Sequence, residues 1–445
     1  MLARLSALLA LLLLTAAVWW WWPVRPRVAW EASEHLWKMQ FAANGQAVVL
    51  SHWGGLTFCD VANGASTPIS TGRFGSATFF QIADDGATVA FDEGSTKLWH
   101  PSGTVVSIKC LGGLQAVAGQ KVIISVDTAD MLEVHVHGFQ GQRLHSQVYT
   151  SVRRLQTLPL ADRVLELLYF PDRKKVQVVD LATGRVLFDL TPFEPGLADA
   201  FDAKLAAMLS PDGQRLATLG RDGITVHLLA TGAQECFISH AAEQFVPCKF
   251  NADGSMFATY RWNGPGKSLA VRLWRIRFGQ PEPLHDLAEE PKFSPKVRQY
   301  LARVWPPGED MPRPPEWFLC DSDSQRTFSL GSALDSDCTF APDSRTLAVK
   351  ESIDPSRLGS WLGQRRRDGV RLLDGQSGQL LPWFREGTKF AYFPDGRSLA
   401  ILNGERLEVW DVDARRPWWV EWGLPMVFCG LSLGAIGVMR RTATT

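Results

Sequence analysis

Residues 393–412 read FPDGRSLAILNGERLEVWDV, and their grammar decides the fold. Pro394-Asp395-Gly396 is turn chemistry: Pro presets φ, Asp bonds its own backbone, and Gly accepts positive φ. Residues 399–402 form an apolar run of strand length. Asn403-Gly404 is a strong hairpin signal, because a type I′ turn needs positive φ at both central positions. Residues 407–412 form the next strand. The apolar residues run almost without a break, as in a sheet covered on both faces. Small antiparallel sheets buried on both faces are what blades stacked around an axis provide.

The same grammar recurs upstream. The first unit holds FAANG at 41–45 and ends at Gly64. The second has Ala83-Asp84-Asp85-Gly86 and a strand ending in Leu98-Trp99. A third unit is degenerate, with middle strands at 122–126 and 131–136, and a fourth has strands at 164–169 and 175–181. The fifth is clear: Ser210-Pro211-Asp212-Gly213, RLATL, Arg221-Asp222-Gly223, ITVHLLATG. The sixth is built on Asp253-Gly254 and Leu273-Trp274, the seventh on Pro342-Asp343, and the eighth is the opening stretch. Gly45 to Gly86 and Gly213 to Gly254 are both 41 residues apart. That is the period of four-stranded propeller repeats.

Segments of the form SPDG-x-LATL-x-x-DG-x-VxLxxxxTG resemble bacterial WD40 repeats. LEVWD at 407–411 keeps the Trp-Asp signature, whereas Leu98-Trp99 and Leu273-Trp274 keep only the Trp. The resemblance covers about 36–412. It implies an all-β, WD40-type β-propeller of eight blades, with seven as the alternative if the third and fourth units are parsed differently. It also implies a non-catalytic scaffold for an unidentified protein partner. The family's Gly-His dipeptide is missing, and Ser239-His240 is the nearest match. A propeller must close its ring. The last unit shows three strands, so residues 28–31 are expected to supply the fourth and to set both chain ends on one blade.

The ends read as membrane segments. After Arg4, residues 5–22 are nearly all apolar, about the length that crosses a bilayer, and Pro23, Arg25 and Arg27 stop the run. Residues 1–24 are therefore expected to be a transmembrane anchor. A cleavable signal peptide is the rival, with Thr15-Ala16-Ala17 as its cleavage site. Trp19, Trp20, Trp21 and Trp22 favour the anchor, as an interfacial belt. Trp418, Trp419 and Trp422 precede a second apolar run at 423–439, followed by Arg440-Arg441. Residues 422–439 are expected to form a C-terminal transmembrane helix, contacting lipid as the first one does. The run with its basic tail also resembles a removable sorting signal. Both Trp clusters then lie at one leaflet, with the propeller (28–417) between them. The basic far ends place it outside the cytoplasm.

Lys+Arg and Asp+Glu both total 46, which excludes the basic footprint of a nucleic-acid binder. The 38 Gly and 26 Pro fit a turn-rich all-β chain. Seven Cys show no metal-ligand spacing. Cys236–Cys248 and Cys320–Cys338 are candidate disulfides if the domain is exported, and small buried hydrophobes are the favoured reading. Residues 276–335 break the period, with nine Pro in 281–315 and a helix expected over 296–304, and read as an insertion that can hold a partner. A second loop, 351–368, carries Arg365, Arg366 and Arg367, candidates for an anionic lipid, phosphate or acidic partner. Glu133, His135 and His137 alternate on one strand face and are candidate metal ligands; no fourth ligand accompanies them, and a polar outer face is the alternative. Asp321-Ser322-Asp323 and Asp335-Ser336-Asp337 lack the full calcium-loop pattern. No GxSxG, HExxH, Walker or GxGxxG motif occurs, so no catalytic residue and no cofactor is expected.

Overall fold

The computed structural model describes residues 26–31, 36, 38–70, 79–110, 112–128, 131–160, 162–191, 193, 206–240, 243–262, 270–277, 279–296, 299–304, 316–324, 326–331, 337–353 and 367–412. Among these, the chain forms nine four-stranded antiparallel sheets. Blades 1 to 8 are meanders spanning 38–70, 80–107, 113–150, 153–190, 207–239, 244–287, 292–331 and 338–386. Blade 9, at 389–411, has three strands of its own. Its fourth is the N-terminal strand Val28–Glu31, with Val28 opposite Val409 and Glu31 opposite Arg406.

The count is therefore nine, and the expectation of eight, with seven as alternative, is corrected. The extra blade lies inside the supposed insertion 276–335. Its strands are Lys292–Phe293, Gln299–Val304, Glu316–Asp321 and Thr327–Gly331. The helix expected over 296–304 is instead a strand, paired residue for residue with Glu316–Asp321. This blade opens on Ser294-Pro295-Lys296 rather than a Gly-bearing turn, so its sequence lacks the usual marker.

Each blade buries its faces against its neighbours. Nine apolar clusters among the described residues lie between successive blades and close the ring. In the last, Trp30, Leu407 and Val409 of blade 9 pack with Val48, Leu50 and Cys59 of blade 1. First strands of neighbouring blades touch, so they line the axis. Second strands such as Ala47–His52 are buried almost throughout, whereas fourth strands such as Ser66–Ser70 are largely exposed. Continuous apolar runs mark the former because both faces are covered.

The turns between first and second strands do what their residues suggest. In blade 9, Gly396 has φ +70 and donates its N–H to Phe393 O at 3.0 Å. Asp395 Oδ1 accepts N–H bonds from Arg397 and Ser398 at 2.9 and 3.1 Å. The next hairpin departs from expectation by one residue. Asn403 pairs with Arg406, so the turn is centred on Gly404-Glu405 and only Gly404 has positive φ.

Trp410 packs toward blade 8, with Val370 and Leu372, under the Arg385 guanidinium at 4.4 Å. It is Trp30 that faces the closing interface. No disulfide joins Cys236 to Cys248 or Cys320 to Cys338, so neither candidate pair forms. Among the described residues no helix is long and apolar enough to cross a membrane, and the two terminal runs lie outside them.

Trp30 is 5% exposed, and its indole Nε1 donates to Gly64 O of blade 1 at 2.9 Å. Trp30→Ala is expected to destabilise the fold by about 3–5 kcal/mol, from the cavity and the lost tie. Urea titration measures this. A shift no larger than that of an exposed control such as Leu380→Ala contradicts the closing role.

Candidate functional site

The two faces of the ring differ. The first-to-second turns lie on one face, because successive blades are meanders of the same sense, and several of them touch the preceding blade. A Cβ on Gly86 of blade 2 would stand 2.4 Å from Asn44 of blade 1, and one on Gly396 would stand 2.9 Å from Asp343 of blade 8. Gly119 N of blade 3 donates to Asp84 Oδ2 of blade 2 at 3.0 Å. Connections on this face are short; the longest run over 83–88 and 276–281. The strand ends on the opposite face are the ones separated by the longer stretches of sequence, 71–79, 191–206, 263–269, 305–315 and 354–366.

Both chain ends leave from the short-turn face. Ser398, which follows the first turn of blade 9, pairs with Asp411 at the end of the third strand. Arg27 N donates to Val409 O at 2.7 Å, and Arg27 Nη1 lies 3.5 Å from Asp411 Oδ1. Residues 27 and 411 thus stand together at the outer edge of blade 9, a juxtaposition that follows from the closing strand.

The most buried charged network lies near the axis, between blades 3 and 4. Glu166 is fully buried. Arg154 Nε lies 2.7 Å from Glu166 Oε1, Arg154 Nη1 donates to Gln115 Oε1 at 2.7 Å, and Nη2 donates to Ser125 Oγ at 2.9 Å. Thr157 Oγ1 donates to Glu166 Oε2 at 2.9 Å and accepts from Gln115 Nε2 at 3.0 Å. Asp127 adds a weaker charge contact with Arg154, at 3.9 Å. A buried carboxylate needs such company. The network ties the inner strands of two blades together, and its groups are committed to each other rather than to an open cavity. Sequence reading missed it, because the partners come from two blades and match no spacing rule.

Glu133, His135 and His137 do share one buried stretch of strand. His135 Nε2 lies 3.2 Å from Glu133 Oε1, and its Nδ1 meets Ser146 Oγ at 3.2 Å, so both ring nitrogens are occupied. His137 Nδ1 donates to Gly141 O at 3.2 Å. Burial lowers the His135 pKa, favouring the neutral ring. Among the described residues no group of three His, Cys, Asp or Glu side chains is placed to hold a metal. Asp321 Oδ1 caps its own turn, accepting from Asp323 N and Ser324 N at 3.0 and 2.7 Å. Asp337 sits 3.7 Å from Lys350 Nζ, and Asp335 and Ser336 lie outside the described residues.

Trp19, Trp20, Trp21, Trp22, Trp418, Trp419, Trp422, Arg365 and Arg366 also lie outside the described residues. Arg367 opens the strand Arg367–Asp374, where its backbone pairs with Ile353. In blade 6, Trp274 Nε1 donates to the buried Thr259 Oγ1 at 2.9 Å. His240, the nearest match to the missing dipeptide, accepts the Phe245 N–H at 3.2 Å.

With this geometry in place, solved structures of similar shape can be compared. A eukaryotic initiation factor matches with a TM-score of 0.53 at 14% identity, over 81% of this chain and 90% of that one. The likeness is one of fold, a β-propeller. The dihydro-heme d1 dehydrogenase NirN matches at TM-score 0.42 and 15% identity, over 82% of this chain and 75% of its own. The β-propeller domain of Myceliophteria thermophila Cps50 (Swd1) matches at 0.34 and 11%, over 67% and 98%. No family model and no curated protein matches the sequence.

Burial pushes the Glu166 carboxyl up from 4.5 to about 7, against the pull of Arg154 and Thr157. Between those values the folded state holds a proton that the unfolded chain has released, so this group's contribution to stability falls as pH rises from about 4.5 to 7. Glu166→Gln is expected to remove a fall of roughly 2–3 kcal/mol. Urea midpoints of both proteins across that range measure it. Parallel profiles contradict the assignment.

Proposed function

We propose that the chain is a membrane-tethered, non-catalytic scaffold that presents the long-connection face of its ring to a protein partner. The observation that carries this reading is the exit of both chain ends from one corner, where Arg27 meets Asp411. Beyond that corner lie the apolar runs 5–22 and 423–439, each with a Trp cluster on the ring side. Two spans emerging side by side suit a ring closed at that blade. Such a tether turns the short-turn face toward the bilayer and leaves the long connections facing outward. Arg4 and Arg440-Arg441 at the far ends favour a cytoplasmic location for those ends and an extracytoplasmic propeller.

The competing reading is an enzyme or ligand receptor at the channel mouth. Its nearest candidate is the Arg154–Glu166 network, whose donors and acceptors are already paired across the blades. That favours the scaffold. No nucleic-acid partner is proposed, given the zero formal charge.

The tether is tested by alkaline extraction of membranes: the protein is expected to stay in the pellet, and release into the supernatant rejects it. The scaffold is tested by affinity purification of the full chain with 305–315 or 354–366 replaced by a short Gly-Ser linker. Removing all of 276–335 is unsuitable because it takes blade 7 with it. A partner retained on the intact chain is expected to be lost from at least one replacement. Retention on both moves the docking surface away from this face.

A further inference from the structure

The short-turn face is close-packed where glycine holds the left-handed position of each first turn, as Gly45, Gly86, Gly213, Gly254 and Gly396 do. At Gly86, Gly213, Gly254 and Gly396 the preceding blade stands close to the backbone; a Cβ on Gly254 would come within 3.0 Å of Arg215. Blade 8 departs from this. Its turn carries Ser344 at φ +61, a strained conformation for a residue with a Cβ. The Ser344 hydroxyl reaches across to blade 7, where it bonds Ser294 Oγ and accepts the Lys296 N–H at 3.1 Å. Strain of this kind is a pointer to function when something else is built beside it.

What lies beside it is a cavity of about 370 Å³ between blades 7 and 8, the size of a small-ligand site. Three cations line it: Lys296, Arg326 and Arg345. Two carboxylates also line it, and both are engaged in their own turns. Asp321 Oδ1 caps residues 323 and 324, and Asp343 Oδ1 accepts the Arg345 N–H at 3.0 Å. Arg345 makes only a long contact with Asp343, 3.8 Å, and its side chain is 75% exposed. Lys296 and Arg326 make no ion pair with any described residue. The Ser344 hydroxyl and the Gln376 amide supply hydrogen-bonding groups.

We propose that this cavity binds a phosphate ester of small polyol size. Guanidinium and ammonium groups with adjacent hydroxyls match its charge and its acceptor oxygens. Three cations against two carboxylates leave the lining net positive. The cavity opens on the face from which both chain ends leave, one blade from the exit corner. If the tether is as proposed above, the nearest phosphate ester is the headgroup of an anionic lipid. The lipid source rests on that reading, whereas the phosphate chemistry does not.

The test uses the full chain and two probes. In nonionic detergent, glycerol 3-phosphate is titrated and the shift in melting temperature followed, since a ligand that binds only the folded state raises it. In nanodiscs, phosphatidylglycerol is compared with phosphatidylcholine. Saturable binding of glycerol 3-phosphate is expected, at least tenfold weaker in the double variant Lys296→Ala/Arg326→Ala and weakened by salt. Ser344→Gly, which relieves the strained φ and keeps the turn, is expected to fold and to bind more weakly. A higher melting temperature in phosphatidylglycerol, lost in the double variant, makes the lipid the source. Binding in detergent without that difference keeps the site but assigns it a soluble phosphate. No saturable binding, or equal binding by wild type and the double variant, overturns the proposal. Alkaline extraction reads the tether separately.

Discussion

The ring depends on one short pairing, Val28–Glu31 against the third strand of blade 9. Each blade is apolar on both faces, so it is stable only between two neighbours. An open array would leave two such faces in water, one at each end. The N-terminal strand removes this problem by making the last blade from both ends of the chain. The tie joins residues 384 positions apart, so it forms only when the intervening blades are in place. Trp30 strengthens it by bonding Gly64 O in blade 1, on the far side of the interface.

The same pairing gives the molecule two unlike faces. Because the closing strand runs antiparallel to its partner, residues 27 and 411 both lie on the short-turn face. On that face several first turns pack against the preceding blade, where Gly86 and Gly396 leave no room for a Cβ. The strand ends on the opposite face are joined by the longer stretches of sequence, including 305–315 and 354–366. Between blades 7 and 8 the short-turn face opens into a cavity lined by three cations and two carboxylates.

The eight repeats seen in the sequence were those with turn markers or unmistakable middle strands. Even the degenerate third unit showed itself through 122–126 and 131–136, which fall within Lys121–Asp127 and Met131–Gly138. Blade 7 was hidden for physical reasons. Its opening turn has Pro295 and Lys296 but no Gly, its first strand is two residues long, and its long Pro-rich connection looks like a loop between domains. QYLARV at 299–304 satisfies a helical pattern as well as a strand, and only pairing with Glu316–Asp321 decides between them. The Arg154–Glu166 network was invisible for another reason: its members come from separate blades, and a side chain's partners across an interface follow from how the blades stack.

The sequence alone determined the all-β architecture, the four-stranded unit, its turns and the need for residues 28–31 to close the ring. These are local matters of φ preference and apolar run length, apart from closure, which follows from the missing strand. Tertiary structure alone decided the blade count, the faces toward which Trp30 and Trp410 point, the free state of the cysteines and the placement of the cations between blades 7 and 8. Each of these depends on which residues meet across an interface. Residue spacing within a blade carries no record of its neighbours, so the opening stretch could announce a blade without saying that it stands ninth or that it holds both ends of the chain.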